Sequence, residues 1–94
     1  MKSIESKYLK PEYNIIDIRD KISYMQGHIY SAKNIDMNIL VEIPERYLNK
    51  NDTYYIYCTS GSKSKRCVNM LNILGYNAIN IEDGYEGYNK TLQN

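Results

Sequence analysis

The chain has 94 residues, and its 12 lysine and arginine residues nearly balance 11 aspartate and glutamate residues, for a net charge of +1. This balance argues against a general binder of nucleic acid or of membrane surfaces, because both need an excess of basic residues. The length predicts one domain over residues 1–94, and no apolar run approaches the roughly 20 residues of a membrane span.

The first half of the chain predicts strands that alternate with short helices. We expect a helix at residues 3–9 that Pro11 ends, a strand at 13–18, a helix at 21–26 closed by Gly27, and a strand at 32–35. Short helices follow at 37–41 and 44–48, where Pro44 suits a first helical turn.

Asp17 is the one charged residue inside the predicted strand 13–18, and Arg19 and Asp20 follow it. A carboxylate at the end of a buried strand normally needs a partner. Arg19 is near, but we expect it to alternate to the other face of the strand. We therefore expect a backbone amide of the following loop to be the partner of Asp17.

The middle of the chain predicts a buried strand, a tight loop and an amphipathic helix. Residues 54–57 form an almost unbroken apolar and aromatic run, typical of a strand covered on both faces. Cys58 follows, and then come four small or polar residues, among which Gly61 can adopt backbone angles that other residues avoid. From about Ser64 the apolar residues take helical spacing, and Gly75 ends the helix.

This arrangement suits a reactive cysteine. A loop between a strand and a helix N-terminus collects unpaired N–H groups, and the helix dipole adds partial positive charge there. Residues 53–81 contain no acidic residue, whereas Lys63, Lys65 and Arg66 follow Cys58 closely. Such surroundings lower a cysteine pKa and favour the thiolate, so Cys58 has the setting of a nucleophile beside an anion cradle.

The chain has two cysteines, and its N-terminus lacks the apolar stretch of a signal peptide. Cysteines without a secretion signal fit a reducing cytoplasm better than a disulfide scaffold. We therefore expect a cytoplasmic protein and, at this size, a monomer.

The last third of the chain completes the pattern, with a strand expected at residues 78–81, a turn at 82–84 and a helix at 85–93. Strands that alternate with helices predict an α/β fold, a small parallel β-sheet flanked by helices on both faces. In such sheets ligands bind at the carboxyl ends of the strands, which is where Cys58 lies.

Three separated segments resemble the motifs of rhodanese-like sulfurtransferase domains. Residues 17–35 read DIRDKISYMQGHIYSAKNI, similar to the family's acid–x–Arg followed by Gly-His-Ile and a short Ala–x–Asn-Ile strand. Residues 57–64, YCTSGSKS, resemble the active-site loop, and residues 74–76 (LGY) with 80–88 (NIEDGYEGY) resemble the closing segment. The resemblance covers residues 13 to 88, with the motifs in the family's order.

The resemblance implies a reaction without a metal or an organic cofactor. The Cys58 thiolate would take the outer sulfur of a small anionic donor such as thiosulfate, and the resulting persulfide would pass sulfur to cyanide, a thiol or a partner protein. Asp17, Arg19 and His28 would be structural residues near the site. The residues that would cradle the donor are Thr59, Ser60, Gly61, Ser62, Lys63 and Ser64.

The sequence also departs from the family pattern. Lys63 stands where relatives often have arginine, so its grip on a sulfonate should be looser. Thr59 stands where many relatives carry a second arginine, and Tyr88 stands where tryptophan is frequent. The segment before Tyr13 is short, which implies a reduced or missing first edge strand.

Other interpretations remain open at this point. Cys67 lies on the apolar helix face and is expected to be a core residue, although it could also be a resolving thiol for Cys58. A non-catalytic or partner-specific sulfur-carrier module is the main alternative function. A cysteine-loop phosphatase or arsenate reductase is less favoured, because Ser64 stands where those enzymes need an arginine that grips the oxyanion bidentately.

Overall fold

The computed structural model describes residues 2–92, which form a five-stranded parallel sheet flanked by helices. The strands are β1 (Ser3–Ile4), β2 (Asn14–Asp17), β3 (Lys33–Asn34), β4 (Thr53–Tyr57) and β5 (Asn77–Ile81), in the spatial order β1-β5-β4-β2-β3. The helices are α1 (Lys21–Gln26), α2 (Met37–Glu42), α3 (Ser62–Ile73) and α4 (Gly84–Leu92), with 3-10 turns at Ser6–Tyr8 and Pro44–Arg46. The predicted α/β fold is confirmed.

Alternating side chains of the strands form two apolar cores, one on each face of the sheet. On one face, Ile16 and Ile56 pack with residues of α2 and α3 such as Leu40 and Leu71. The second core is rich in tyrosine and includes Ile15, Tyr57, Ile29 and Ile81, with Tyr24 of α1 and Tyr85 and Tyr88 of α4 packed against it. The helices therefore cover both faces of the sheet, as the alternation of strands and helices predicts.

The expected helix at residues 3–9 is wrong. Ser3–Ile4 instead forms a short edge strand that pairs with β5, so the first edge strand, expected to be reduced or missing, is reduced. A single 3-10 turn follows at Ser6–Tyr8. The turn is fixed by Asp83, whose carboxylate accepts the Ser6 backbone N–H at 2.8 Å and the Ser6 hydroxyl at 2.6 Å. This contact joins residues 77 positions apart, so no local pattern could have indicated it.

Smaller differences concern the ends of the elements. Helix α3 begins at Ser62 rather than at about Ser64, because the carbonyl of Gly61 already accepts the N–H of Lys65. The expected helix at 44–48 is a 3-10 turn at Pro44–Arg46, and the expected strand at 32–35 is reduced to Lys33–Asn34. The last helix is α4, Gly84–Leu92, and position 93 of the expected helix lies outside the described residues.

Strands β2 and β4 are neighbours, and their register places Asp17 opposite Tyr57 at the carboxyl edge of the sheet. Cys58 follows Tyr57 directly, so the loop after β4 and the bend after β2 emerge side by side. Within residues 2–92, no helix has the length and apolar character needed to cross a bilayer.

Candidate active site

Cys58 lies at the junction of β4 and α3, where backbone N–H groups converge on its sulfur. The side chain is buried, and its Sγ accepts the N–H of Gly61 at 3.2 Å and the N–H of Ser64 at 3.3 Å. Because α3 begins at Ser62, the Ser64 N–H belongs to the first turn of the helix, which has no intrahelical partner for it. The helix dipole points its positive end at the same sulfur.

These contacts lower the pKa of the Cys58 thiol. Burial alone would raise this pKa, but the hydrogen bond with the Ser64 side chain and those from the Ser64 and Gly61 N–H groups outweigh the burial and lower it. Hydrogen bonds to the charged form of a group favour that form. The site therefore favours the thiolate, which is the nucleophilic form of cysteine.

Neighbouring backbone holds the loop in this shape. Gly61 has a φ of 98°, and a Cβ at this position would collide with the carbonyl of Glu82. From the other side, the first N–H groups of α4 bind the loop: Tyr85 donates to the Cys58 carbonyl at 2.9 Å and Glu86 to the Thr59 carbonyl at 3.0 Å. The loop carbonyls are thus bound by α4, which leaves loop N–H groups directed at the sulfur.

Asn80 is a site residue that the sequence analysis missed. It is buried on β5, where its Nδ2 donates to the Gly61 carbonyl at 3.2 Å and its Oδ1 accepts the Ser64 hydroxyl at 2.5 Å. The same hydroxyl oxygen lies 3.4 Å from the sulfur of Cys58. An amide inside an otherwise apolar predicted strand was the available signal, because a buried amide requires partners.

Asp17 and Arg19 form a buried ion pair beside the loop. Both carboxylate oxygens of Asp17 lie 3.1 Å from the Arg19 Nε, one lies 2.7 Å from Nη2, and the other accepts the Arg19 backbone N–H at 2.8 Å. The expectation that Arg19 faces away from Asp17 is wrong, because residues two positions apart in an extended chain lie on the same face, and the Arg19 side chain reaches back to Asp17. The expected backbone amide partner of Asp17 is present, and it belongs to Arg19 itself.

Tyr57 joins this pair from the neighbouring strand. Its hydroxyl donates to Asp17 at 2.6 Å and accepts the N–H of Ile29 at 3.0 Å. Burial and the adjacent Asp17 carboxylate raise the pKa of Tyr57 far above its usual range, so this hydroxyl is a permanent donor. His28 lies outside the network: it is exposed, stacks on Tyr24 with ring centroids 3.9 Å apart, and its Nδ1 is 2.9 Å from the Tyr24 carbonyl.

Cys58 opens onto a pocket of about 280 Å³ that brings together part of the predicted site, namely Cys58, Thr59, Ser60 and Lys63, with Arg19 and Asp20. Gly61 and Ser64 line no part of this pocket and act on the sulfur from behind. Ser62 faces a separate cavity of about 420 Å³ on the other side of the loop. The pocket therefore joins one thiol to two cationic side chains.

Within residues 2–92, no group of three or more histidine, cysteine, aspartate or glutamate side chains is placed to hold a metal ion. A family model for the rhodanese-like domain matches residues 2–91. The chain belongs to the rhodanese-like domain family. The resemblance seen in the sequence motifs is confirmed.

Similar proteins agree with this family and with the rhodanese-like fold. Thiosulfate sulfurtransferase PspE of Escherichia coli strain K12 is 33% identical, over 73% of this chain and 67% of the relative. The crystal structure of SSP1007 from Staphylococcus saprophyticus has a TM-score of 0.80 at 37% identity, covering 92% of this chain and 91% of that one. A rhodanese-like domain protein from Staphylococcus aureus has a TM-score of 0.82 at 33% identity, covering 94% and 91%.

The second cysteine of this rhodanese-like chain lies in the core. Cys67 is fully buried on α3 among residues that include Val68 and Leu71. Burial, together with the nearby charge of Cys58, raises the pKa of Cys67 to about 12. Both cysteines are free thiols. A thiol of this pKa is almost entirely protonated at neutral pH, which favours the core interpretation of Cys67 over a resolving thiol.

We expect Ser64→Ala to raise the Cys58 pKa, because the variant removes the Ser64 side-chain hydrogen bond that lowers this pKa. The pH dependence of alkylation by iodoacetamide, with mass spectrometry to locate the label on Cys58, measures this midpoint. Alkylation at neutral pH should become slower in the variant.

Ser62→Ala is the matched control, because its hydroxyl belongs to the same loop, and its one hydrogen bond within residues 2–92 is with the hydroxyl of Ser60, at 3.2 Å. Its midpoint should stay at the value of the unmodified protein. An unchanged or lowered midpoint in Ser64→Ala would contradict the role of the Ser64 hydroxyl.

Proposed function

We propose that this protein is a sulfurtransferase that moves a sulfane sulfur from thiosulfate through a persulfide on Cys58. The observation that carries the proposal is the convergence of the Gly61 and Ser64 N–H groups on the Cys58 sulfur, inside a pocket lined by Arg19 and Lys63. A thiolate nucleophile and cations for an anionic donor are what this transfer needs. Membership of the rhodanese-like family supports the same activity.

The first half-reaction is a displacement at sulfur. The Cys58 thiolate attacks the outer sulfur of thiosulfate, a new S–S bond forms, and the S–S bond of the donor breaks. Sulfite leaves with the electron pair of the broken bond, so one thiolate and one dianion give one persulfide anion and one dianion. The N–H groups of Gly61 and Ser64 then face the negative charge of the persulfide, an oxyanion-hole type of stabilisation.

The second half-reaction discharges the persulfide to an acceptor that enters the same pocket. Cyanide attacks the outer sulfur and leaves as thiocyanate, whereas a small thiol or a protein thiol takes the sulfur as its own persulfide. In each case the Cys58 thiolate is the leaving group, and its lowered pKa makes it a good one. The cycle needs Cys58 reduced, which supports a location in the reducing cytoplasm.

The phosphatase alternative fits the pocket poorly. A cysteine-loop phosphatase needs an arginine that wraps a tetrahedral oxyanion with two parallel hydrogen bonds. The side chain at that position is Ser64, which is buried and bound to Asn80. Arg66 is exposed on α3 and does not line the pocket of Cys58.

Intact mass spectrometry after incubation with thiosulfate tests the proposal directly. We expect a gain of one sulfur atom, about 32 Da, that a thiol reductant removes and that is absent after alkylation of Cys58. Addition of cyanide should discharge the same species with formation of thiocyanate. A folded protein that gains no sulfur from thiosulfate would contradict thiosulfate as the donor.

We expect Lys63→Ala to raise the KM for thiosulfate about fivefold with little change in kcat, because an exposed cation contributes about 1 kcal/mol to anion binding. Lys63 is exposed at the mouth of the pocket. Lys65→Ala is the matched control, since Lys65 lies two residues further along the same helix, outside this pocket. Steady-state kinetics with varied thiosulfate measures the KM of both variants. A KM of Lys63→Ala equal to that of the unmodified protein would contradict a role of Lys63 in donor binding.

A further inference from the structure

Arg19 uses only part of its guanidinium to hold the fold. Its Nε and Nη2 bind Asp17, and Nη2 also donates to the carbonyl of Gly27 at 2.6 Å. Within residues 2–92, Nη1 makes no hydrogen bond to the protein. Two N–H donors of the most buried cation beside Cys58 are therefore unused by the fold.

The free nitrogen opens onto the pocket of Cys58. Every fully buried side-chain nitrogen and oxygen among the described residues has a hydrogen-bond partner, so the unpartnered Nη1 is in contact with solvent. The rings of Tyr57 and Tyr85 lie near the guanidinium, with centroids 5.6 and 4.2 Å from its central carbon. Arg19 is 9% exposed and lines the pocket that contains Cys58, so its accessible edge faces that pocket.

This edge is fixed in direction. The bidentate contact with Asp17 and the bond to Gly27 hold the plane of the guanidinium, and Tyr57 holds Asp17 in turn. Asp17 offsets the charge of Arg19 at long range, so Nη1 acts as a directed donor at short range rather than as a free positive charge. A preorganised donor of this kind distinguishes ligands by whether they place an acceptor atom at the right point.

The geometry points to Arg19 as the residue that selects donors bearing an oxyanion next to the sulfane sulfur. This inference rests on the proposed sulfur transfer. In it, Nη1 donates to a sulfonate oxygen of the donor while the outer sulfur faces Cys58. Nη1 then stabilises the sulfite that departs with the electron pair. The favoured class is thiosulfate and organic thiosulfonates. Hydropersulfides of thiols, which present no oxygen at that position, gain nothing from Nη1.

The test compares two donors in single-turnover loading of Cys58, followed by intact mass. Arg19→Gln alone would leave the Asp17 carboxylate buried without its partner, so the main variant is the double change Asp17→Asn with Arg19→Gln. Arg19→Lys is the second variant, because one ammonium cannot replace three guanidinium nitrogens. Neither Arg19 variant changes the net charge of the protein. Arg46→Lys is the matched control for Arg19→Lys, since Arg46 is exposed on the 3-10 turn Pro44–Arg46 and does not line the pocket.

We expect loading from thiosulfate to slow at least about tenfold in both Arg19 variants, a loss equal to about 1.4 kcal/mol. Loading from a small thiol persulfide, and discharge of the persulfide to cyanide, should stay within about twofold of the unmodified protein. An equal loss with both donors, or no loss with thiosulfate, would overturn the role of Arg19 in selection. If the unmodified protein loads from neither donor, the proposed function itself fails and the selection proposal falls with it.

A binding measurement avoids dependence on the stability of the Arg19 variants. Side-chain NMR of Cys58→Ser during titration with thiosulfate should shift the guanidinium signals of Arg19 and leave those of Arg46 in place. Saturable binding without a shift at Arg19 would overturn the proposal.

Discussion

Cys58→Ser is expected to lower sulfur transfer by at least about 10³-fold while the protein remains folded. A serine hydroxyl is not ionised near neutral pH, and its oxygen cannot carry a sulfane sulfur between donor and acceptor. The substitution changes one atom, and the oxygen can still accept the N–H groups of Gly61 and Ser64 that now bind the sulfur. The substitution therefore removes sulfur transfer and leaves the fold in place.

The measurement is thiocyanate formation from thiosulfate and cyanide, with circular dichroism and thermal unfolding to confirm the fold. Cys67→Ala is the matched control, because Cys67 is buried in the core of α3 and is not exposed to the pocket. It should keep full turnover at a modest cost in stability. Turnover by Cys58→Ser at the rate of the unmodified protein would contradict the proposed persulfide, and loss of turnover in Cys67→Ala would restore the resolving-thiol interpretation.

The elements that the sequence predicts well are those whose signals are local. The side chains of residues 54–57 point alternately into the two cores. Tyr55 and Tyr57 belong to the core rich in tyrosine and the other two residues to the opposite core, so both faces of β4 are apolar. Helix α1 has the predicted bounds because Asp20 caps it, accepting the Ser23 N–H at 2.8 Å, and Gly27 ends it. Each of these features depends on residues within a few positions of one another.

The features that the sequence analysis missed depend on contacts between distant segments. Asn80 reaches the Cys58 loop across 16 positions, and Ser6 binds Asp83 across 77. The contact between Arg19 and Asp17 is different: it is local and was predictable, because side chains two positions apart in an extended segment lie on the same face. The expectation that Arg19 lies on the opposite face misapplied the two-residue period of a strand.

The same argument explains why α3 begins early. Ser62 is a residue type that often caps helices, but here it is the first helical residue, and Gly61 at the cap position makes no side-chain cap. The start is set instead by the left-handed Gly61, by the sulfur of Cys58 as acceptor for Ser64, and by Asn80 binding the Gly61 carbonyl. The groups that set the start of α3 are therefore the same groups that bind and position the sulfur of Cys58.

Asp17→Ala is expected to lower the free energy of unfolding by about 3–5 kcal/mol, a large part of the roughly 5–15 kcal/mol available to a domain of this kind. Asp17 is fully buried and accepts four bonds from Arg19 and one from Tyr57. Its removal leaves a nearly buried guanidinium and a buried phenol without their partner. Most of the loss in the free energy of unfolding comes from leaving these buried groups without a hydrogen-bond partner, rather than from losing the attraction between Asp17 and Arg19.

Urea unfolding at neutral pH measures this loss, with Asp17→Asn as the matched variant. Asparagine retains the shape and one acceptor oxygen, so its loss should be smaller than that of alanine. A loss below about 1 kcal/mol in Asp17→Ala would mean that Arg19 finds other partners or water, which is the behaviour of an exposed pair. Since Asp17 also fixes the edge of Arg19 that faces Cys58, Asp17→Ala should weaken loading from thiosulfate more than loading from a thiol persulfide under conditions where the variant is folded.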